Sequence, residues 1–485
     1  MKQPLSHIEP KEIWNHFSSI NAIPRASKKE QAISDFMVTF GKKLGLETFQ
    51  DKALNVLIKK PATTGFENRK KVTLQSHLDM VHQKNNDTVF DFDTQGIEMY
   101  VDGDWVKANG TTLGADNGLG VATIMTILAS NELEHPELEA LFTIDEETGM
   151  TGAFELQTGF ISGDILLNLD TEEDDEITIG CAGGVDVTAI KTYSPVPTKN
   201  DAICYKITVN GLKGGHSGIE IHKGLGNANK LLTRILYELQ KSIDFQITAL
   251  KGGSLRNAIP REAECTISIA KYDVLENIFQ SLATKISNEW KVKEPNLNIQ
   301  LTSTDIAKTG LSDNDQKELI SVLYACHNGV YTYDPSIVDL VATSNNLASV
   351  NVQEGKMKIA CLTRSSIETE KQDLVNQLTS CFELGNYTVH TDGDYPGWQP
   401  NPTSDILTSM SSIYKKMFKS EPNVNACHAG LECGIIGKPY PNMEMISFGP
   451  TIRGAHSPDE KASISSVQKF WSFLIEILKN IPNKL

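Results

Sequence analysis

The chain has 485 residues and a mass of 53.4 kDa, with 40% hydrophobic, 22% charged and 7% aromatic residues. These ordinary values exclude a disordered, collagen-like or low-complexity protein, and the length calls for two or more domains. Lys and Arg number 45 against 61 Asp and Glu, a net charge of −16 with pI about 5.2, so the field argues against nucleic acid or an anionic membrane as main partner.

The N-terminal MKQPLSHIEPKEIWNHF holds no apolar signal segment. The most apolar run, VATIMTILA (121–129), falls far short of the ~18 residues that cross a bilayer. Eight cysteines without a CxxC pair read as reduced residues of a cytoplasmic protein. KVTLQSH (71–77) predicts a strand, 118–129 a buried helix, and EALFTI (139–144) and DILLNL (164–169) further strands. Strands alternating with helices predict a parallel sheet covered on both faces, with ligands beyond the C-terminal strand ends. Each of these strands runs into a polar set there: His77 and Asp79; Asp145, Glu146 and Glu147; Asp170, Glu172 and Glu173.

From about 185 to 395 the texture changes. Alternating runs at 205–212 and 263–270 flank amphipathic helices at 223–240 and 271–290, and a comparable alternation returns over 297–384. This predicts an α+β insertion of two similar halves, although no clean sequence repeat is visible. After the loop 391–404, a helix at 405–418, a strand at 443–448 and a helix at 465–480 resume the first pattern. The architecture is therefore an α/β catalytic domain built from 1–185 and 397–485, interrupted by a domain at 186–396.

Five segments are rich in metal-ligating side chains: SHLDM (76–80), GADNG (114–118), DEETG (145–149), NLDTEE (168–173) and GAHSPDE (454–460). In an extended strand His77 and Asp79 share a face, so the carboxylate can hold the imidazole's second nitrogen. Asp116 fits a turn between glycines as well as it fits a ligand. Glu146 and Glu147 fit either a solvated pair at a helix start or a ligand beside a general base. Asp170 ends a strand, Glu172 to Glu176 read as a solvent face, and His456 follows the strand MEMISF. Together, two His and three carboxylates at one sheet edge suit zinc, cobalt or manganese. Five ligands exceed one tetrahedral catalytic zinc but fit two metals sharing a carboxylate, roughly 3.5–4 Å apart. A water there would be acidified to a pKa near ~7, and Glu146 could take its proton.

These motifs, with GLKGGHSG (211–218) and RNAIPREA (256–263), resemble the ordered motifs of the dinuclear-zinc exopeptidase family nearly end to end. KKPAT (59–63), KNNDTV (84–89), GLGNANKLL (224–232), YPGWQP (395–400) and HAGLECG (428–434) place the likeness nearest its aminoacyl-histidine dipeptidase branch. The resemblance implies a mixed sheet flanked by helices and a large α+β lid and dimerisation domain. It implies that Asp116 bridges two zinc ions per subunit, which cobalt or manganese can replace. His77 and Asp170 complete one site and Glu147 and His456 the other. Glu146 matches the general base, Asp79 the residue orienting His77, and His216 a lid histidine that stabilises the tetrahedral intermediate and reaches across the dimer in relatives.

Asn257 and Arg364 match substrate-holding positions, a guanidinium being the natural bidentate partner of a C-terminal carboxylate. His428 to Gly430 match the lining of the carboxylate pocket, whereas Glu432 and Cys433 read as structural. Two positions depart from the pattern: His82 replaces proline and Ile219 a common glycine. The implied activity is a cytoplasmic, homodimeric metallodipeptidase acting on unblocked dipeptides, Xaa-His and carnosine-type ones included. An N-acyl-amino-acid deacylase or a tripeptidase of the same family would carry the same metal site. An inactive peptide-binding relative fits poorly, because Glu146, Asp79 and every ligand are retained. A nucleotide-binding oxidoreductase lacks its GxGxxG after the first strand.

Overall fold

Three runs that read as strands, Val72–His77, Leu138–Thr143 and Ile165–Asn168, are buried at every position, as expected of strands covered on both faces. In the computed structural model, which describes residues 5–199, 202–270 and 274–484, they are the centre of an eight-stranded sheet. Its order is Glu47–Gln50, Val56–Lys60, Leu138–Thr143, Val72–His77, Ile165–Asn168, Glu444–Ser447, Glu176–Cys181 and Asn423–Cys427. The four strands from Leu138–Thr143 to Glu444–Ser447 run parallel. The neighbours on either side are antiparallel, so the sheet is mixed rather than wholly parallel. Only residues 51–55 join the first two strands, enough for a hairpin but not for a parallel crossover.

The helix Ala115–Ala129 is buried almost all round, the pattern of a central helix. Asp405–Phe418 and Ile464–Lys479 begin at Ser404 and Ser463, whose side chains accept from Leu407 N and Ser466 N, standard N-caps. A short hairpin, Ile452–Arg453 with Lys461–Ser463, presents residues 454–460, and hence His456, as its loop.

The chain divides into two compact units, Met1–Gly180 with Pro400–Ala426 and Leu431–Leu485, and Cys181–Gln399 with Cys427–Gly430. The first junction falls ahead of residue 185 because Gly183–Thr192 already pairs along its whole length with Lys356–Ser365 of the second sheet. The periodicity of the sequence shows that change only later.

The second unit has a nine-stranded sheet among the described residues. Two strand–helix–strand–strand–helix–strand sets supply eight of its strands, and Gly329–Tyr333 pairs with Val341–Gln353 as the ninth. One set is Ile203–Asn210, Ala228–Leu239, Phe245–Gly252, Ala263–Ile269, Leu275–Trp290 and Asn298–Thr304. The other is Gly183–Thr192, Asp313–Ala325, Val341–Gln353, Lys356–Ser365, Glu368–Glu383 and Thr388–Tyr395. Their strand orders mirror each other about the pairing of Phe245–Gly252 with Val341–Gln353. The first set is inserted between the first strand and first helix of the second. The helix expected at 223–240 starts at Ala228, where Asn227 caps it by accepting from Lys230 N. Of the helix expected at 271–290, residues 271–273 lie outside the described residues and the helix is Leu275–Trp290.

Candidate active site

Two triads of donor atoms share one carboxylate in the first unit. Asp116 Oδ1 lies 3.1 Å from His77 Nε2, and its Oδ2 lies 3.2 Å from His456 Nε2. His77 Nε2 is also 3.4 Å from Asp170 Oδ1, and His456 Nε2 is 2.8 Å from Glu147 Oε2. The sheet explains the convergence. His77 ends one parallel strand, Asp170 follows the next by two residues, and Glu146 and Glu147 follow Thr143 on the third. Asp145 (φ 55°) and His456 (φ 63°) take left-handed conformations that non-glycine residues adopt at a cost repaid by their surroundings.

The electrostatics match a site built to hold cations. His456 is pushed up to about 11 by its hydrogen bonds to Asp116 and Glu147. Burial pulls His77 down, yet Asp170, Asp116 and Asp79 raise it well above the usual imidazole range. Burial raises Asp116, but the two imidazoles overcome it and hold this carboxyl low. Burial lifts Asp170 to about 6 against the pull of His77. Glu146 is raised well above the usual carboxyl range by burial, opposed by His77 and reinforced by Asp170, Glu432 and Glu147. Glu147 Oε1 is buried with no hydrogen-bond partner, a cost that a ligand would remove. Imidazole Nε2 atoms facing carboxylate oxygens, with one carboxylate common to both sets, are a donor set that fits two divalent ions once the imidazoles give up their protons.

Asp79 lies 3.4 Å from His77 Nδ1, while its own backbone carbonyl lies 3.2 Å from the same nitrogen. Its carboxylate also accepts the backbone N–H of Glu146 (3.1 Å) and Glu147 (3.2 Å) and the Ser27 hydroxyl (2.7 Å). It therefore ties the His77 strand end to the glutamate turn, a role the sequence did not suggest. Beneath the ligands a buried polar chain crosses the sheet. Glu432 Oε2 accepts from Gln75 Nε2 and Thr143 Oγ1, both at 2.7 Å, and Gln75 Oε1 accepts from Asn168 Nδ2 at 2.6 Å. Ser447 Oγ donates to Asn168 Oδ1. Glu172, expected on a solvent face, is half-buried. Burial, reinforced by Asp116 and Asp170, lifts its carboxyl to about 8. Its backbone carbonyl accepts from Ile452 N, which folds it against the His456 hairpin. Sequence reasoning also missed Arg25 and Glu460, both buried against the Leu113–Asp116 loop. No periodicity flags either one, although Glu460 closes the GAHSPDE segment.

The remaining predicted residues belong to the second unit. His216 Nδ1 accepts the backbone N–H of Gly218 (3.2 Å) and Ile219 (3.1 Å), which leaves Nε2 to carry the proton. Burial and Arg364 lower its pKa, keeping it a neutral N–H donor. Arg364 donates to the Tyr395 hydroxyl at 2.8 Å, and its Nε is buried without a partner. His428 Nε2 lies 2.8 Å from Ser344 Oγ, and burial with Arg364 drops its pKa to about 3. A Cβ on Gly218 would meet His428 O at 2.1 Å and Arg364 Cδ at 3.2 Å, so this glycine lets the His216 turn pack on both. The Asn257 carbonyl accepts from Ser217 N at 2.8 Å while the residue itself is exposed, and Gly430 is half-exposed two residues after His428.

Residues 207–294 match the model of a peptidase dimerisation domain. The whole chain is 45% identical over 482 residues, 99% of each protein, to the cytosol non-specific dipeptidase of Escherichia coli K12. This chain belongs to the M20 peptidase family. Among solved structures, the peptidase superposes on the aminoacylhistidine dipeptidase of Vibrio alginolyticus with a TM-score of 0.95 and 42% identity, covering 100% of this chain and 99% of that one. The aminopeptidase PepT of Bacillus cereus shares the fold, with a TM-score of 0.58 and 15% identity over 98% of this chain and 99% of its own. In the peptidase, no helix among the described residues is long and apolar enough to cross a membrane.

Proposed function

We propose that this M20 peptidase is a metal-dependent dipeptidase of the cytoplasm that hydrolyses unblocked dipeptides, Xaa-His and β-alanyl-histidine among them. The observation that carries the reading is the single carboxylate of Asp116 facing His77 with one oxygen and His456 with the other. The whole-length likeness to a cytosol non-specific dipeptidase and to an aminoacylhistidine dipeptidase supports the substrate class. His77 and Asp170 would hold one ion, Glu147 and His456 the other, and Asp116 both. Zinc is the proposed metal, with cobalt or manganese able to substitute. When bound, such ions polarise the scissile carbonyl and acidify water to a pKa of about 7.

The chain's own groups do the rest. Glu146, whose carboxyl is already held high, takes the proton of the attacking water and passes it to the leaving nitrogen. Asp79 keeps His77 in its tautomer. From the second unit, His216 offers its N–H to the charge developing on the carbonyl oxygen. Arg364 takes the C-terminal carboxylate, with His428 and Gly430 lining that pocket and Asn257 contacting substrate near the scissile group. Residues 186–396 serve as lid and dimerisation domain of a homodimer, in keeping with the matched region.

The test sets β-alanyl-histidine beside Gly-Gly, a tripeptide and an N-acetyl amino acid. Each is assayed with chelator and after zinc is restored. Chelator-sensitive, zinc-restored cleavage of the two dipeptides is expected. Cleavage of the acetylated substrate alone would replace the dipeptidase with a deacylase.

A further inference from the structure

The loop that carries Asp116 is gripped from two sides by buried charged residues that bond to its backbone. On one side stands Glu460. Its Oε2 accepts the backbone N–H of Leu113 (2.7 Å) and Gly114 (2.9 Å), and its Oε1 those of Ala115 (2.8 Å) and Asp116 (3.3 Å). Four successive amides converge on one buried carboxylate, an anion nest supplied by the protein itself. Glu460 lies four residues after His456, in the same hairpin loop between Ile452–Arg453 and Lys461–Ser463. The loop that presents one ligand is thus fastened to the loop that presents the shared one.

On the other side stands Arg25, 1% exposed. Its Nη2 donates to Gly114 O (2.6 Å) and Asn21 Oδ1 (2.9 Å), and its Nη1 to the carbonyls of Leu78 and Asp79, both at 3.0 Å. The guanidinium therefore joins the Asp116 loop to the end of the His77 strand. It also accounts for the glycines of GADNG. A Cβ on Gly114 would come within 2.5 Å of Arg25 Nη2, and one on Gly118 within 2.7 Å of the same atom. Both glycines leave room for a buried cation.

We propose that Glu460 and Arg25 are positioning residues for the dinuclear site, Glu460 setting Asp116 relative to His456 and Arg25 setting Asp116 relative to His77. Each clamp spans the two loops that must meet on one side of the shared carboxylate. Loss of Glu460 therefore weakens the ion between Asp116, Glu147 and His456, and loss of Arg25 the ion between Asp116, His77 and Asp170. A residue that only stabilised the fold would lower the melting temperature without separating the two affinities. The inference rests on the two-ion reading above.

The experiment is a zinc titration of metal-free, full-length protein, by calorimetry with a competing chelator, beside thermal melts of the metal-free forms. The wild type tests the reading itself: fewer than two ions bound would end the dinuclear site whatever the variants do. Glu460→Gln keeps the shape but turns an N–H₂ against two backbone N–H groups. It should weaken one ion by roughly 10–100-fold, the usual cost of removing an outer partner of a metal ligand, and leave the other near wild type. Arg25→Lys keeps the charge but cannot span three carbonyls, and should weaken the opposite ion. Two wild-type affinities in both variants, or equal loss of both ions in each, would overturn the proposal. If Glu460→Gln does not fold, Glu460→Asp and Arg25→Lys decide it: unequal weakening of the two ions supports the clamps, and wild-type or equally reduced affinities reject them.

Discussion

Replacing Glu146 with glutamine separates the two roles its position allows. Its carboxylate lies in one donor group with His77 and Glu147, close enough for all three to meet a single cation, so ligand and general base are the competing assignments. The backbone N–H of Glu146 is held by Asp79 Oδ1, and glutamine has the same length, so the turn survives the change. An amide cannot accept the proton, and loss of a general base typically costs 10²- to 10⁴-fold, about 3–5 kcal/mol of transition-state stabilisation. Turnover of an unblocked dipeptide should fall by that factor while bound metal per chain stays at the wild-type value. Metal loss in the variant would make Glu146 a ligand, and an undiminished rate would remove it from the chemistry.

The same substitution has a signature without metal. The Glu146 carboxyl is held above its ordinary value of 4.5. The unfolded chain therefore ionises first as pH rises, and the folded wild type loses stability from about pH 4.5 upward until the folded carboxyl also ionises. Glutamine removes that loss. Melting temperatures of the metal-free proteins should diverge in favour of the variant as pH rises, and parallel curves would contradict the environment described for this residue.

In the metal-free protein both His77 and His456 are raised and carry protons near neutrality. Zinc binding should accordingly release about one proton from each, read by calorimetry in buffers of different ionisation heat, and affinity should fall as pH falls. The stability that His456 gives the metal-free protein is fully present below its ordinary value of 6.5 and is lost as pH rises through about 11. Gly114→Ala forces φ 70° on alanine and drives a Cβ into Arg25 and Met80; denaturant unfolding should show a loss of about 2 kcal/mol or more, and an unchanged midpoint would refute the crowding. His216→Ala should lower kcat by about 10²- to 10³-fold, the usual cost of one oxyanion donor, with metal content intact; an unchanged kcat would remove it from the mechanism.

The metal-ligand candidates were legible because each stands at the end of an apolar run or in a glycine-flanked turn, and sheet geometry then brings those ends together. The antiparallel direction of the flanking strands was not legible. Val56–Lys60 and Glu176–Cys181 have the apolar content of parallel strands, and only the short link at 51–55 shows that the first must turn back. The doubling of the second unit was suspected from texture, but the sequences of the halves have diverged. It becomes plain in the mirrored strand order, where the same topology is drawn twice. Arg25 and Glu460 were hidden for a different reason. Their partners are backbone carbonyls and amides, which every residue possesses, so no pairing of side-chain types betrays them.

That hidden class separates the acids of this crowded site by role. Asp79 takes the amides of Glu146 and Glu147, Glu460 those of Leu113 to Asp116, and Glu30 those of Lys28 and Asp145. Asp145 in turn accepts the hydroxyls of Thr148 and Thr151. Glu30, Asp79 and Asp145 lie close enough to resemble a cation site. Yet N–H and O–H donors already occupy each of these carboxylates, and a cation there would have to displace the bonds that hold the turns. Asp116, Glu147 and Asp170 differ in facing imidazole nitrogens, although Asp170 also accepts from the Asn117 side-chain amide, and Glu147 keeps an oxygen with no hydrogen-bond partner. Carboxylates fed by backbone amides are spent on holding loops, and those facing imidazoles are left for metal. By that criterion the proposed site is a pair of cation positions sharing Asp116, set among acids already hydrogen-bonded to turns, so chelation should remove activity while leaving those turns folded.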